Sequence, residues 1–278
     1  MKKPNSKAHL DAAIQRLAGT KTREARFSEI RAIVADTVVC QMLAGCAIKG
    51  GGSLKLRYGE RQTRFTMDLD AATAMKPDAF IDTMRKSLAV GWDEFTGTLT
   101  IERPASPRGV PVEYVMRPFL VRLDYHGKSW CSVRLEISHN EIGDADDAEM
   151  VPPAADIVGL FAELGLPEPK PMPLMRLEFQ IAQKIHGVSA PGSTRVRDLI
   201  DLQLIMRNSV IDFASVKKVC IRLFAYRKTH AWQPTLSVRP DWINQYDALK
   251  GDLSVLASLD EAIAWANDLV NQIDAAKR

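Results

Sequence analysis

Of cysteines the 278-residue sequence has only four, Cys40, Cys46, Cys131 and Cys220, and no two stand in the C-x-x-C spacing of a zinc site. Nothing marks them as a disulfide framework either, so reduced thiols and a cytoplasmic setting are expected. Long apolar runs are missing. The stretch TVVCQMLAGCAI at residues 37–48 is too short to cross a bilayer and carries Gln41. An apolar leader is missing too: Met1, Lys2 and Lys3 are followed by an amphipathic helix pattern over residues 6–19, so export is not expected. No sign of charge dominates. A net charge of +3 and a pI near 8.6 permit a polyanionic partner without requiring one. There is no internal repeat and no low-complexity tract. What is present, 46% hydrophobic and 26% charged residues with a mean hydropathy of -0.13, describes an ordinary globular chain with material for two domains.

Periodicity divides the chain. Phe27, Ile30, Val34, Val38 and Met42 share one face of a helix over residues 27–43. GCAI then reads as a short strand, SLKLRYG as a short helix ended by Gly59, and RFTMDLDAAT as a second strand. On that strand Phe65, Met67 and Leu69 face one way and Thr66, Asp68 and Asp70 the other. Pro77 opens a crossover helix that Gly91 closes. Beyond it the period is two: GTLTIERP, VEYVMRPFLVRLDYHG and SWCSVRLEISHNE predict an antiparallel sheet with a hairpin turn at HGK and an exposed loop over residues 104–111. The proline-marked stretches IGDADDAEMVPPAA and PEPKPMP read as a boundary zone. After it the pattern is helical, over 174–187, 195–207, 212–226, 240–249 and 259–277. The expected domains are residues 1–166 and 167–278.

The chemistry concentrates in KGGGSLKLRYGERQTRFTMDLD, residues 49–70. Gly50, Gly51, Gly52 and Ser53 open a helix, where backbone N–H groups can approach phosphate oxygens. This is no P-loop, because no G-K-S or G-K-T follows those glycines. Asp68 and Asp70, two apart on a strand, put two carboxylates on one face with their Cα atoms about 6–7 Å apart, suited to hard cations. A solvated strand face is the plainer alternative. Glu136 in SVRLEIS can be a third acid, on a polar face with Arg134 and Ser138 beside the apolar Val133, Leu135 and Ile137; an ion pair with Arg134 or Arg122 is its other reading. Arg64 can touch a phosphate or pair with Glu60. The mix of basic and aromatic residues in KKVCIRLFAYRKTHAW can steer RNA, or be a solvated helix. His139 and His186 are assigned no role.

A glycine turn, a D-x-D about a dozen residues on and a later strand acid together resemble the nucleotidyltransferase superfamily of DNA polymerase beta. More narrowly they resemble the AbiEii-type nucleotidyltransferases, toxins of bacterial toxin–antitoxin and abortive-infection systems. That family reads K-G-G-T-x-L, R-F-S-x-D-L-D, a sheet acid, L-E-x-x-x-A-E-K and R-D-L-x-D-L. Here LEFQIAQKIHG supplies Glu178 and Lys184, and RVRDLIDLQLI supplies Arg197, Asp198 and Asp201, so the ordered set spans residues 49–202. The sequence departs from the pattern at Gly52, with Ser53 one place later, and at Thr66, Gln183 and Glu136.

The resemblance implies an α/β (α+β) fold, a polymerase-beta-like mixed sheet with helices, followed by an all-helical C-terminal domain, with a cleft between them for Mg²⁺ and an NTP. It implies a two-metal site on Asp68, Asp70 and Glu136. Gly51, Gly52, Ser53, Arg64, Lys184, Asp198 and Asp201 would bind the nucleotide, Lys184 reaching the triphosphate and one of the two helix aspartates orienting it. The reaction would move an NMP to RNA, for which a tRNA 3′ end is the expected acceptor, or to a protein side chain, and an antitoxin partner is implied. A nucleotide-sensing module without turnover, or kinase-like phosphoryl transfer, are the competing readings.

Overall fold

The computed structural model describes residues 2–19, 23–66, 68–104 and 115–277, with backbone only at 23–25. The chain forms two units, Met1–Glu60 with Phe65–Leu174 and Arg61–Arg64 with Met175–Arg278.

The first unit is a mixed sheet with helices. Its elements are α1 (Lys7–Ala18), α2 (Arg23–Met42), β1 (Ala47–Lys49), α3 (Gly50–Tyr58), β2 (Asp68–Thr73), α4 (Pro77–Val90), β3 (Phe95–Ile101), β4 (Arg117–Tyr125), β5 (Lys128–His139), β6 (Glu149–Val151), α5 (Ala155–Leu164) and β7 (Met172–Leu174). The strands lie in the order β3-β4-β5-β2-β1-β7-β6. β2 runs parallel to β5 and β1 parallel to β7, and the other neighbours are antiparallel. The hairpin expected at HGK is there. His126 and Gly127 form its two-residue loop with φ of 48° and 68°, the doubly positive geometry that matches strand twist. Pro77 stands in the first turn of α4 and Gly91, at φ 79°, ends it, as expected. Ile30, Val34 and Val38 of α2, Phe80, Met84 and Leu88 of α4, and Ile157, Phe161 and Leu164 of α5 are buried in one core with Leu69, Val121, Leu123, Val133, Leu135 and Ile137 of the sheet.

Three expectations need correction or qualification. The proline-marked zone, expected as a boundary, carries structure of its own: β6, α5 and β7 lie in and between its two stretches and extend the sheet beyond β1, and the first unit ends at Leu174, just past it. Pro173 cannot donate to a ladder, yet β7 is only three residues long and still pairs Met150↔Pro173 and Ile48↔Leu174. The strand expected from Arg64 begins at Asp68; Phe65 is 54% exposed, not on a buried strand face, and Met67 lies outside the described residues. Of the loop expected over 104–111, residues 105–111 also lie outside them.

The second unit is helical, with α6 (Leu177–Ser189), α7 (Arg197–Asn208), α8 (Phe213–Arg227), α9 (Trp242–Lys250) and α10 (Leu259–Ala275), close to the expected spans. Local chemistry sets the ends: Asp212 accepts from Ala214 and Ser215 N–H, and Ser258 with Glu261 makes a reciprocal capping box at α10. Ile181, Ile185, Leu199, Leu202, Val216, Phe224, Tyr246 and Leu269 are buried. Among the described residues, no helix is long and apolar enough to cross a membrane.

Candidate active site

In the first unit, sheet register assembles the acids. β1 pairs Lys49 with Asp70, and β2 pairs Asp70 with Glu136 and Asp68 with Arg134. Lys49, Asp70 and Glu136 thus form one row across three adjacent strands, with Asp68 two residues along on the same face. The glycine turn closes directly on this row. Gly50 has φ +66°, and a Cβ there would lie under 3.0 Å from Asp70 Oδ2 and 3.2 Å from its Cγ, so the carboxylate packs against bare backbone at the start of α3. A helix N-terminus favours negative charge, and the Lys49 side chain does not cap this one. Lys49 Nζ instead donates to Ser138 Oγ at 2.6 Å. Asp68 is half exposed, with Arg134 Nη1 at 3.9 Å, so Arg134 serves Asp68. Ser53 is fully buried on α3, with Gly51 and Gly52 buried beside it.

Close enough to Asp68 to feel its charge lies a buried ion pair, Lys55 of α3 donating to Asp36 of α2 at 3.2 Å. Burial pushes the Asp36 carboxyl up to about 6; Lys55 opposes that shift and the charge of Asp68 adds to it.

In the second unit, Lys184 of α6 is 4% exposed and donates to Asp201 Oδ2 at 2.6 Å and Asp198 Oδ1 at 3.3 Å, both on one face of α7. Arg64 forks onto Asp201 (2.9 and 3.0 Å) and Arg195 onto Asp198 (2.6 and 3.4 Å). Burial alone would raise the Asp201 carboxyl, but Lys184 and then Arg64 outweigh it and hold it at about 2. Lys184 is therefore no surface lysine, and the two aspartates do not face water. Glu60, the alternative partner of Arg64, pairs with Arg26.

The family description of the nucleotidyl transferase AbiEii toxin, of type IV toxin–antitoxin systems, matches residues 31–269. The chain belongs to the AbiEii family. AbiEii membership makes it a nucleotidyltransferase toxin, and implies an NTP substrate and an antitoxin partner. Its fold is similar to MenT4, the nucleotidyltransferase toxin Rv2826c from Mycobacterium tuberculosis H37Rv, at a TM-score of 0.57 and 16% identity over 98% of this chain and 90% of that one. A weaker similarity links it to JHP933 from Helicobacter pylori, at a TM-score of 0.43 and 16% identity over 87% and 89% of the two chains. No curated protein sequence matches it.

AbiEii chemistry implies a divalent cation, and the donors here fit one. Asp68, Asp70 and Glu136 are hard oxygen ligands side by side on two paired strands. Among the described residues, no three His, Cys, Asp or Glu side chains already converge as a cage. Mg²⁺ typically takes one or two carboxylates with water and substrate phosphates, so a complete protein cage is not required.

Sequence reading put Ser138 on the polar face of Glu136 but gave it no partner, and it assigned no role to three side chains near the acidic row: Lys49, Asp36 and Lys55. Lys49 heads the glycine motif and could have been read from it. Asp36 interrupts an apolar helix face, a position that calls for a cation, but nothing local names Lys55 as that cation. His186, left without a role, packs against His230 and Phe224 with ring centroids 4.7 and 4.8 Å away. Burial, then Arg227, lowers it to about 3. His139 ends β5 opposite Thr73.

Proposed function

We propose that this enzyme transfers an NMP from a Mg²⁺-bound NTP to a hydroxyl of RNA, with a tRNA 3′ end as the favoured acceptor and a protein side chain as the other. The observation that carries the proposal is the row of Lys49, Asp70 and Glu136 abutting Gly50, because it sets carboxylates beside a turn where backbone can meet phosphate. Asp68, Asp70 and Glu136 hold the cation, which when bound stabilises charge growing on the phosphoryl oxygens. The acceptor oxygen attacks the α-phosphorus in line. A new P–O bond forms, the bond from the α-phosphorus to the bridging oxygen breaks, and pyrophosphate departs. Glu136 accepts the hydroxyl proton. The backbone of Gly51 and Gly52 orients phosphate, while Ser53, fully buried, supports the turn from within. Lys184, held by Asp198 and Asp201, attracts the departing phosphates, and Arg64 supports it through Asp201. The proposed setting is the cytoplasm.

Incubation with each α-³²P-labelled NTP, Mg²⁺ and total RNA tests the proposal. Label should appear on RNA or on protein with the native chain and vanish with Asp68→Ala. Label retained by that variant, or nucleotide bound with no label transferred, refutes it.

A further inference from the structure

With its own two carboxylate neighbours alone, Lys184 makes a poor phosphate ligand. One ammonium between two buried carboxylates carries a net negative charge, and the carboxylates of Asp198 and Asp201 are almost completely buried. Such a group repels phosphate, and does so strongly where water is scarce. Two guanidinium groups reverse the sign. Arg64 covers both oxygens of Asp201 and Arg195 both oxygens of Asp198, giving the linear order Arg64–Asp201–Lys184–Asp198–Arg195.

We propose that Arg64 and Arg195 are positioning residues that give the buried cluster a surplus of one positive charge, and that this surplus, not the Lys184 ammonium alone, attracts the departing pyrophosphate. This inference rests on the proposed role of Lys184. Stability alone is weak grounds for the cluster: given its cations, an ionised Asp201 stabilises the fold, but buried ion arrays commonly do no better than apolar side chains of similar size. The fold also makes room for it. Gly187 lies one turn beyond Lys184 on α6, inside the helix, where glycine weakens helices. A Cβ there would come within 2.7 Å of Arg195 Nε and 2.9 Å of Asp198 Oδ2. The missing side chain is the space that the Arg195–Asp198 pair fills.

The two arginines are unequal. The Arg64 side chain is 11% exposed and that of Arg195 is 47% exposed, so water screens Arg195 far more. Arg64 sets most of the effect.

Calorimetric titration of the full chain with inorganic pyrophosphate in EDTA isolates the cluster from any cation on the acidic row. Arg64→Gln should weaken binding about tenfold or more and Arg195→Gln about two- to threefold, while Arg64→Lys, which keeps the charge, should bind nearly as the native chain does. The deciding variant is Arg64→Gln combined with Asp201→Asn, which restores the surplus charge without restoring the arginine and should recover most of the lost affinity. Thermal melts identify the folded variants. The inference is overturned if folded Arg64→Gln binds normally, if the double variant binds as weakly as the single one, or if the native chain does not bind pyrophosphate. Lys184→Gln combined with Asp198→Asn separates the two levels, because it removes the ammonium and keeps the surplus charge. Normal binding by that double variant, with the arginine pattern as expected, removes the role proposed for Lys184 and leaves the surplus charge standing.

Discussion

Gly50→Ala perturbs the glycine turn and the acidic row with a single methyl group. The added Cβ would sit under 3.0 Å from Asp70 Oδ2, 3.2 Å from Cγ and 3.3 Å from Cβ, on a backbone at φ +66°. A residue with a Cβ pays about 1–2 kcal/mol to adopt that left-handed conformation. For a chain of this size that lowers Tm by about 2–8 °C. The larger effect is local. To regain van der Waals separation the Asp70 carboxylate must retreat by about 1 Å, and a displacement of that size at a reacting centre can cost about 100-fold in rate. Gly52→Ala is the control, since its Cβ would meet Leu69 Cδ1 at 3.2 Å, a flexible side chain, and its φ is not positive. Differential scanning calorimetry and the labelled-NTP assay together read both variants. Gly50→Ala should lose most transfer while still folding, and Gly52→Ala should lose little of either. Full activity in Gly50→Ala would refute the claim that the turn fixes Asp70.

Asp201, held at about 2 against an ordinary 3.8, stabilises the fold by about 2 kcal/mol above pH 4. That contribution should disappear as pH falls from about 4 towards 2, and urea melts across the range should show the loss in the native chain but not in Asp201→Asn. Asp36 has the opposite sign. Its carboxyl is raised to about 6, so the folded state holds the proton longer and this group's contribution declines as pH rises from about 4 to 6. Lys55→Met, which leaves that carboxylate buried without its cation, should cost about 3 kcal/mol at pH 7 and much less at pH 5 in chemical denaturation. Gly187→Ala should weaken pyrophosphate binding by displacing Arg195 from Asp198, and a crystal structure of the variant with that pair intact would contradict the packing argument.

Much of the architecture is legible where local chemistry decides it. Pro77 and Gly91 bracket α4, His126-Gly127 makes a hairpin loop, and period-two runs give β3 to β5. At residues 142–173 the prolines mark the end of the first unit but hide the strands within it, because their rule concerns long central strands and β7 needs only three residues to join the sheet. At the site, the D-x-D spacing is enough to put Asp68 and Asp70 on one face. That Asp70 stands beside both Lys49 and Glu136 depends on register between strands far apart in sequence. The second cluster is less legible still. Asp198 and Asp201 look like ordinary acids at a helix start, and their burial depends on cations from positions 64, 184 and 195.

The central claim is that the carboxylate against Gly50 takes part in nucleotidyl transfer. Its most direct measurement is the single-turnover rate of NMP transfer from α-³²P-labelled NTP by Asp70→Asn, which keeps the shape of the side chain and removes its charge. Loss of about 3 kcal/mol of transition-state stabilisation, a fall of at least about 100-fold with Tm unchanged, is the predicted result. A rate within threefold of the native chain would contradict it.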